Sequence, residues 1–327
     1  MKTISAGNVN DAWAQALAFM EEVGEIEPSR IGNVKVAPFP VATVYYNPKE
    51  RVLFDPVRDA NPFFHLHEAL WMLAGEADAT YLNQFVGDFS LRFAEEDGIM
   101  HGAYGYRWRR HFEKVNSYRG GNLDQLDVVV RLLQKNHGDR QAVIQMWDAE
   151  SDLDVPGLKD RPCNTQIYLR IRDGVLDLCT MVRSNDIVWG CYGANAVHFT
   201  VLQEYLAARI GVGIGRFTQF SWNWHMYDTT KHLASIESAR RVFPYPGTIP
   251  LVTDPDTFDA EVRRYIVNPD SALTAKNTFL ESTARALFKA NEARKAGDYK
   301  GALEWAGAVL APDWRKAAVE WLERRQK

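Results

Sequence analysis

Two strand-like runs, TQIYLRI (165–171) and VLDLCTMV (175–182), flank the dipeptide Asp173-Gly174. Asp-Gly between two apolar-alternating runs is a strong signal for a two-residue hairpin turn. This constrains the fold more than any other stretch, because the turn sets the strand register. Counting back from it puts Cys163 opposite Ser184, beside Arg183, with a margin of about one residue. A guanidinium near a thiol favours the thiolate, the reactive form of cysteine. Arginine and serine together also suit a phosphate, through a planar donor fork and a hydroxyl. Taken alone, such a cysteine is more often structural. Cys179, mid-strand, and Cys191, in an apolar loop, read as packing.

The rest of the chain surrounds this hairpin with helices and further strands. NVNDAWAQALAFMEEVGE (8–25) has helical spacing, and residues 33–56 read as strands broken at Asn47-Pro48. Asn61-Pro62 starts a helix that ends near Gly75 and carries Glu68 in an otherwise apolar stretch. Further helices are expected over 122–136 and 195–210, and strands over 140–147 and 215–227. From about 266 the character changes to two long helical stretches, 269–295 and 299–325, rich in Ala, Glu, Lys and Arg. These two read as a helical extension (266–327) on a catalytic domain (1–265). They either pack on the core or form a docking appendage.

With 327 residues, 46% of them hydrophobic, the chain can bury a large core. A net charge of −4 disfavours a polymeric nucleic acid as partner. The three cysteines have no spacing suited to zinc or to a disulfide framework. There is no apolar run of about 18 residues and no signal-peptide pattern. The expectation is a soluble, cytoplasmic protein with neither a metal nor a membrane span.

Five short motifs then occur in one order. They are HEALWMLAG (67–75), GAYGYRW (102–108), DRQAVIQMWD (139–148), RPC with RSND twenty residues later (161–163, 183–186), and HMY (225–227). Together they resemble the thymidylate synthase superfamily over roughly residues 10–260. The resemblance implies an α+β fold, a large and mostly antiparallel sheet flanked by helices, paired back to back in a homodimer. It implies Cys163 as the nucleophile for C6 of a pyrimidine nucleoside monophosphate. It implies 5,10-methylenetetrahydrofolate as the one-carbon donor. Glu68 would relay protons through water, and Tyr104 would position the cysteine. Asp186 would bond the pterin, and His225 and Tyr227 would hold the sugar hydroxyl. The phosphate would fall to Arg183, Ser184, Arg140 reaching across the dimer, and Arg30, whose SRIGN context matches the family poorly. Taken singly, each residue has a plain alternative: Glu68 a solvated helix face, Arg140 a surface charge, Asp186 a helix cap, His225 and Tyr227 core filler.

Three departures from the synthases bear on the product. Ser90 falls where synthases shield the methylene with tryptophan, Asn164 follows the cysteine in place of histidine, and the end EWLERRQK lacks their closing tail. All three point to less water exclusion and so to hydroxymethylation rather than methylation. The pattern looks more like the phage deoxycytidylate and antibiotic-pathway CMP hydroxymethylases, which favours a cytosine base. The base-reading position is Ala194 without a gap, or Asn195 with a one-residue insertion. An amide serves either base, so dUMP stays open, for a hydroxymethylase or for a divergent thymidylate synthase. A catalytically dead, nucleotide-binding relative is the remaining class.

Overall fold

In the computed structural model of the chain, residues 1–29, 32–112, 123–241 and 244–326 are described. Eight strands form one sheet: β1 (Lys2–Ala6), β2 (Glu25–Ser29), β3 (Gly32–Val36), β4 (Val41–Tyr45), β5 (Val143–Gln145), β6 (Asn164–Arg172), β7 (Val175–Asp186) and β8 (Gly213–Tyr227). The order is β1-β4-β8-β7-β6-β5, with β3 also on β8 and β2 on β3. Five of the pairings are antiparallel; β1–β4 and β7–β8 are parallel. The parallel pair needs a long connection, and the helix Asn195–Ile210 supplies it.

The hairpin turn has φ of 50° at Asp173 and 73° at Gly174. Both central residues are in the positive-φ region that a type I′ turn demands. The expected register holds from Arg172↔Val175 to Gln166↔Met181, and then a bulge shifts it by one, giving Asn164↔Val182. Cys163 therefore lies opposite Arg183, not Ser184, and its carbonyl accepts the Arg183 N–H at 2.8 Å. A bulge adds one residue to one strand, and no turn dipeptide announces it.

Along β7 the side chains alternate. Leu176, Leu178, Thr180 and Val182 point into the core, while Asp177, Cys179 and Met181 are half-buried on the other face. The helix Pro62–Ala74 lies inside that core, with Asn61 as its N-cap and Gly75 closing it at φ 79°. Nearly all its residues are buried, as expected of a helix that is apolar on every side. His67 pins it: Nδ1 bonds the Phe63 carbonyl at 2.7 Å and Nε2 the Tyr265 hydroxyl at 2.9 Å. Burial pushes this imidazole down to about 4, so it is neutral at ordinary pH.

The two long C-terminal helices expected from the sequence are each broken. The first becomes a short 3-10 turn (Pro269–Thr274), a wide-turn segment (Leu280–Arg285) and the helix Ala286–Lys295. The second becomes Tyr299–Gly307 and Pro312–Glu323. They pack on the same core as the rest. Trp321 meets Phe63 edge-on at 5.4 Å, and Arg324 and Arg325 pair with Asp59. Among the described residues, no helix is long and apolar enough to cross a membrane.

Candidate active site

A cavity of about 290 Å³ opens where the ends of β6, β7 and β8 meet the helix Pro62–Ala74. Its wall includes Glu68, Tyr104, Cys163, Ser184, Asp186, Ala194, Asn195, His225 and Tyr227. Nine residues singled out from the sequence, spread over 160 positions, thus face one space. Arg140 is exposed outside the cavity, and Arg30 lies outside the described residues.

Cys163 ends the loop leading into β6. Burial pushes its thiol up; Arg183 opposes this, and the nearby Asp160 adds to it. Desolvation of the charged sulfur thus acts against the thiolate that the guanidinium favours, and it is the larger of the two influences. Arg183 also points differently from expectation. Its Nε and Nη2 donate to the carbonyls of Pro162 (3.1 Å) and Arg161 (3.2 Å), and its guanidinium lies over Trp147. It braces the cysteine loop and is absent from the cavity wall, whereas Ser184 is part of that wall.

Tyr104 begins the helix Tyr104–Arg109, stacks on Phe199 at 5.7 Å and accepts the Asn164 N–H at 3.3 Å. The next residue, Gly105, has no room for a side chain: a Cβ there would sit 2.0 Å from the Met72 carbonyl oxygen. That close approach seats the tyrosine against the glutamate helix.

Two of the residues tied to water access lie elsewhere. The Asn164 amide turns into the hairpin, donating to the carbonyls of Gln166 and Met181. The Ser90 hydroxyl accepts from Asn83 at 2.8 Å on the short helix Phe89–Phe93. Neither lines the cavity. Position along the chain does not say where a side chain points.

Asp186 caps the turn after β7, Oδ2 accepting the Trp189 N–H at 2.6 Å. Its Oδ1 is buried without a partner, and the residue lines the cavity. Burial raises this carboxyl and lowers the neighbouring His225, while their mutual attraction opposes both shifts.

His198 was missed by the sequence reading. It is buried in the cavity wall, with Nε2 2.8 Å from Glu68 Oε2. The contact is close but off the hydrogen-bonding line, and neither ring nitrogen has an aligned partner. His198 follows Asn195 by three residues, one helical turn on the same face. That spacing was the available signal.

Ile187–Ala194 winds as a π-helix with an irregular Gly193 (φ −108°, ψ −110°). The segment leads directly into the helix that Asn195 begins, and both Ala194 and Asn195 line the cavity.

A cysteine, an acid–imidazole pair and buried amides thus surround one cavity. The thymidylate synthase family model matches residues 55–268. The chain belongs to the thymidylate synthase family and is a one-carbon transferase. It is 40% identical to the deoxyuridylate hydroxymethyltransferase of Pseudomonas phage M6, over all of this chain and 95% of that protein. It is 33% identical to the deoxyuridylate hydroxymethyltransferase of Bacillus phage SP01, over 69% of this chain and 59% of that protein.

Proposed function

We propose that this enzyme hydroxymethylates C5 of dUMP, with Cys163 as nucleophile and 5,10-methylenetetrahydrofolate as donor. The observation that carries the reading is the Glu68–His198 pair opening on the same cavity as Cys163. A buried acid and imidazole side by side can deliver and deprotonate water, which hydroxymethylation consumes and methylation does not. Both relatives are deoxyuridylate enzymes by name, so uracil replaces the cytosine favoured from the motifs.

Cys163 would lose its proton on substrate binding and add to C6, making C5 nucleophilic. The folate supplies a carbon at the oxidation level of formaldehyde. Asp186 Oδ1, buried and unpartnered at the cavity, fits the N–H donors of a pterin. Glu68 and His198 would handle the C5 proton and the incoming water, and Tyr104 would hold the cysteine loop. His225 and Tyr227 would bind the sugar. Ser184, Arg30 and, from the other protomer, Arg140 would hold the phosphate, while Arg183 braces the cysteine loop. The half-exposed sheet face with Tyr168, Cys179 and Thr218 is the surface a back-to-back homodimer would cover. The sum is dUMP, methylene donor and water giving 5-hydroxymethyl-dUMP and tetrahydrofolate.

The test is a mass-spectrometric product assay with dUMP, dCMP, UMP and CMP. The expected product is dUMP heavier by CH2O, with no dihydrofolate absorbance. A methylated product accompanied by dihydrofolate would make the enzyme a thymidylate synthase.

A further inference from the structure

Behind Asn195 runs a chain of buried amides. Asn195 Nδ2 donates to Asn185 Oδ1 at 3.2 Å. Asn185 Nδ2 donates to Gln219 Oε1 at 3.1 Å and to Ser221 Oγ at 2.9 Å. Gln219 Nε2 donates to the Cys191 carbonyl at 3.0 Å. Asn185, Gln219 and Ser221 are all essentially inaccessible to solvent. A Cβ on Gly190 would stand 2.9 Å from Asn185 Oδ1 and 3.2 Å from Asn195 Nδ2, so glycine leaves room for the link.

An amide taken alone can turn over and exchange its oxygen for its nitrogen. This chain cannot, because it ends on a backbone carbonyl, which only accepts. That carbonyl fixes Gln219, Gln219 fixes Asn185, and Asn185 fixes Asn195. We propose that Asn185 and Gln219 are positioning residues that lock the Asn195 amide in the orientation that reads uracil and rejects cytosine. This rests on the reading of the cavity as a pyrimidine-monophosphate site.

The chemistry follows from the donors and acceptors. Asn195 Nδ2 has one hydrogen on Asn185, leaving the second hydrogen and Oδ1 for the ring. Uracil presents an N3–H donor and an O4 acceptor, which match. Cytosine presents a bare N3 and an amino group, the reverse. To meet cytosine, Asn195 must turn over, which sets its oxygen against Asn185 Oδ1. Turning Asn185 as well sets oxygen against Gln219 Oε1, and turning Gln219 sets oxygen against the Cys191 carbonyl. Wherever the reversal stops, one buried acceptor faces another. A mismatch of this kind in a dry site is worth about tenfold or more in affinity.

The experiment is calorimetric titration of dUMP and of dCMP into the wild type, Gln219→Met, Gln219→Glu and Asn185→Ser, without folate. Met removes the anchor. Glu, kept protonated by burial, donates its O–H to the Cys191 carbonyl in place of Nε2 and keeps an acceptor towards Asn185. Ser, a milder change should Gln219→Met not fold, offers a hydroxyl that donates or accepts equally. The expected result is a wild-type preference for dUMP of about tenfold or more, falling towards unity in Gln219→Met and Asn185→Ser and persisting in Gln219→Glu. General loosening of the site would weaken both nucleotides alike and leave the ratio unchanged. An unchanged ratio in Met and Ser, or a loss in Glu equal to that in Met, overturns the relay while leaving the dUMP reading intact. A wild type that binds neither nucleotide overturns the pyrimidine reading itself, and the relay with it.

Discussion

Replacing His198 by glutamine tests whether the buried imidazole handles the water that distinguishes the two reaction outcomes. Glutamine is close in size and places an amide beside Glu68, which now lies 2.8 Å from the ring nitrogen. The carboxylate therefore keeps a neighbour, and only the ability to take up a proton is lost. Removing a positioned general base costs roughly a hundred- to ten-thousand-fold in rate. That corresponds to about 3–5 kcal/mol on the barrier. With dUMP tritiated at C5, two events can be timed in one turnover: tritium release and hydroxymethyl product formation. In His198→Gln, release should continue near the wild-type rate while hydroxymethyl product slows by at least a hundredfold. Equal slowing of both would place His198 before the water step. A wild-type rate for both would leave it no part in the chemistry.

Cys163→Ala should abolish both tritium release and product while leaving dUMP binding measurable by calorimetry; residual turnover would remove Cys163 as nucleophile. Because burial pushes the Cys163 thiol up, kcat/KM should rise with pH through and above the ordinary cysteine range, and a flat profile there would count against a free thiol as the resting form. Asp313, buried against Tyr245, has its carboxyl raised to about 6 from 3.8. Its folded form favours the proton, so its contribution is complete below pH 3.8 and is lost as pH rises through 6. Denaturant titrations should show the wild type losing about 3 kcal/mol relative to Asp313→Asn across that window. Trp321→Ala, which empties the space against Phe63, should cost about 3–5 kcal/mol in the same titrations. A small loss would mean that the C-terminal helices contribute little to the core.

What was legible in the sequence was what local chemistry dictates. The hairpin was readable because Asp173 and Gly174 both accept positive φ, and the glutamate helix because Asn61, Pro62 and Gly75 mark its ends. The C-terminal break was also marked, by Pro312 at a first helical turn, but the Ala- and Glu-rich periodicity on either side masked it. What stayed hidden depends on contacts between distant segments. The bulge beside Thr165 slid Cys163 from Ser184 to Arg183, and the direction of Ser90 and Asn164 is set by partners that residue counting cannot supply.

Asn195 joins the two kinds of information. It and Ala194 both line the cavity, and the π-turn over Ile187–Ala194 immediately precedes the helix that Asn195 begins. The same turn carries the Cys191 carbonyl, on which the amide chain ends. The turn therefore bears on both ends of the amide chain. It leads into Asn195, and it presents a fixed acceptor at the far end. Tightening the turn by deleting one residue between Val188 and Gly193 should remove both at once, so uracil selectivity and affinity for dUMP should fall together. Gln219→Met, by contrast, should lower selectivity far more than affinity. If the deletion lowered affinity but kept the dUMP-to-dCMP ratio, the turn would serve only to position Asn195, and the link between the wide helix and base choice would be wrong.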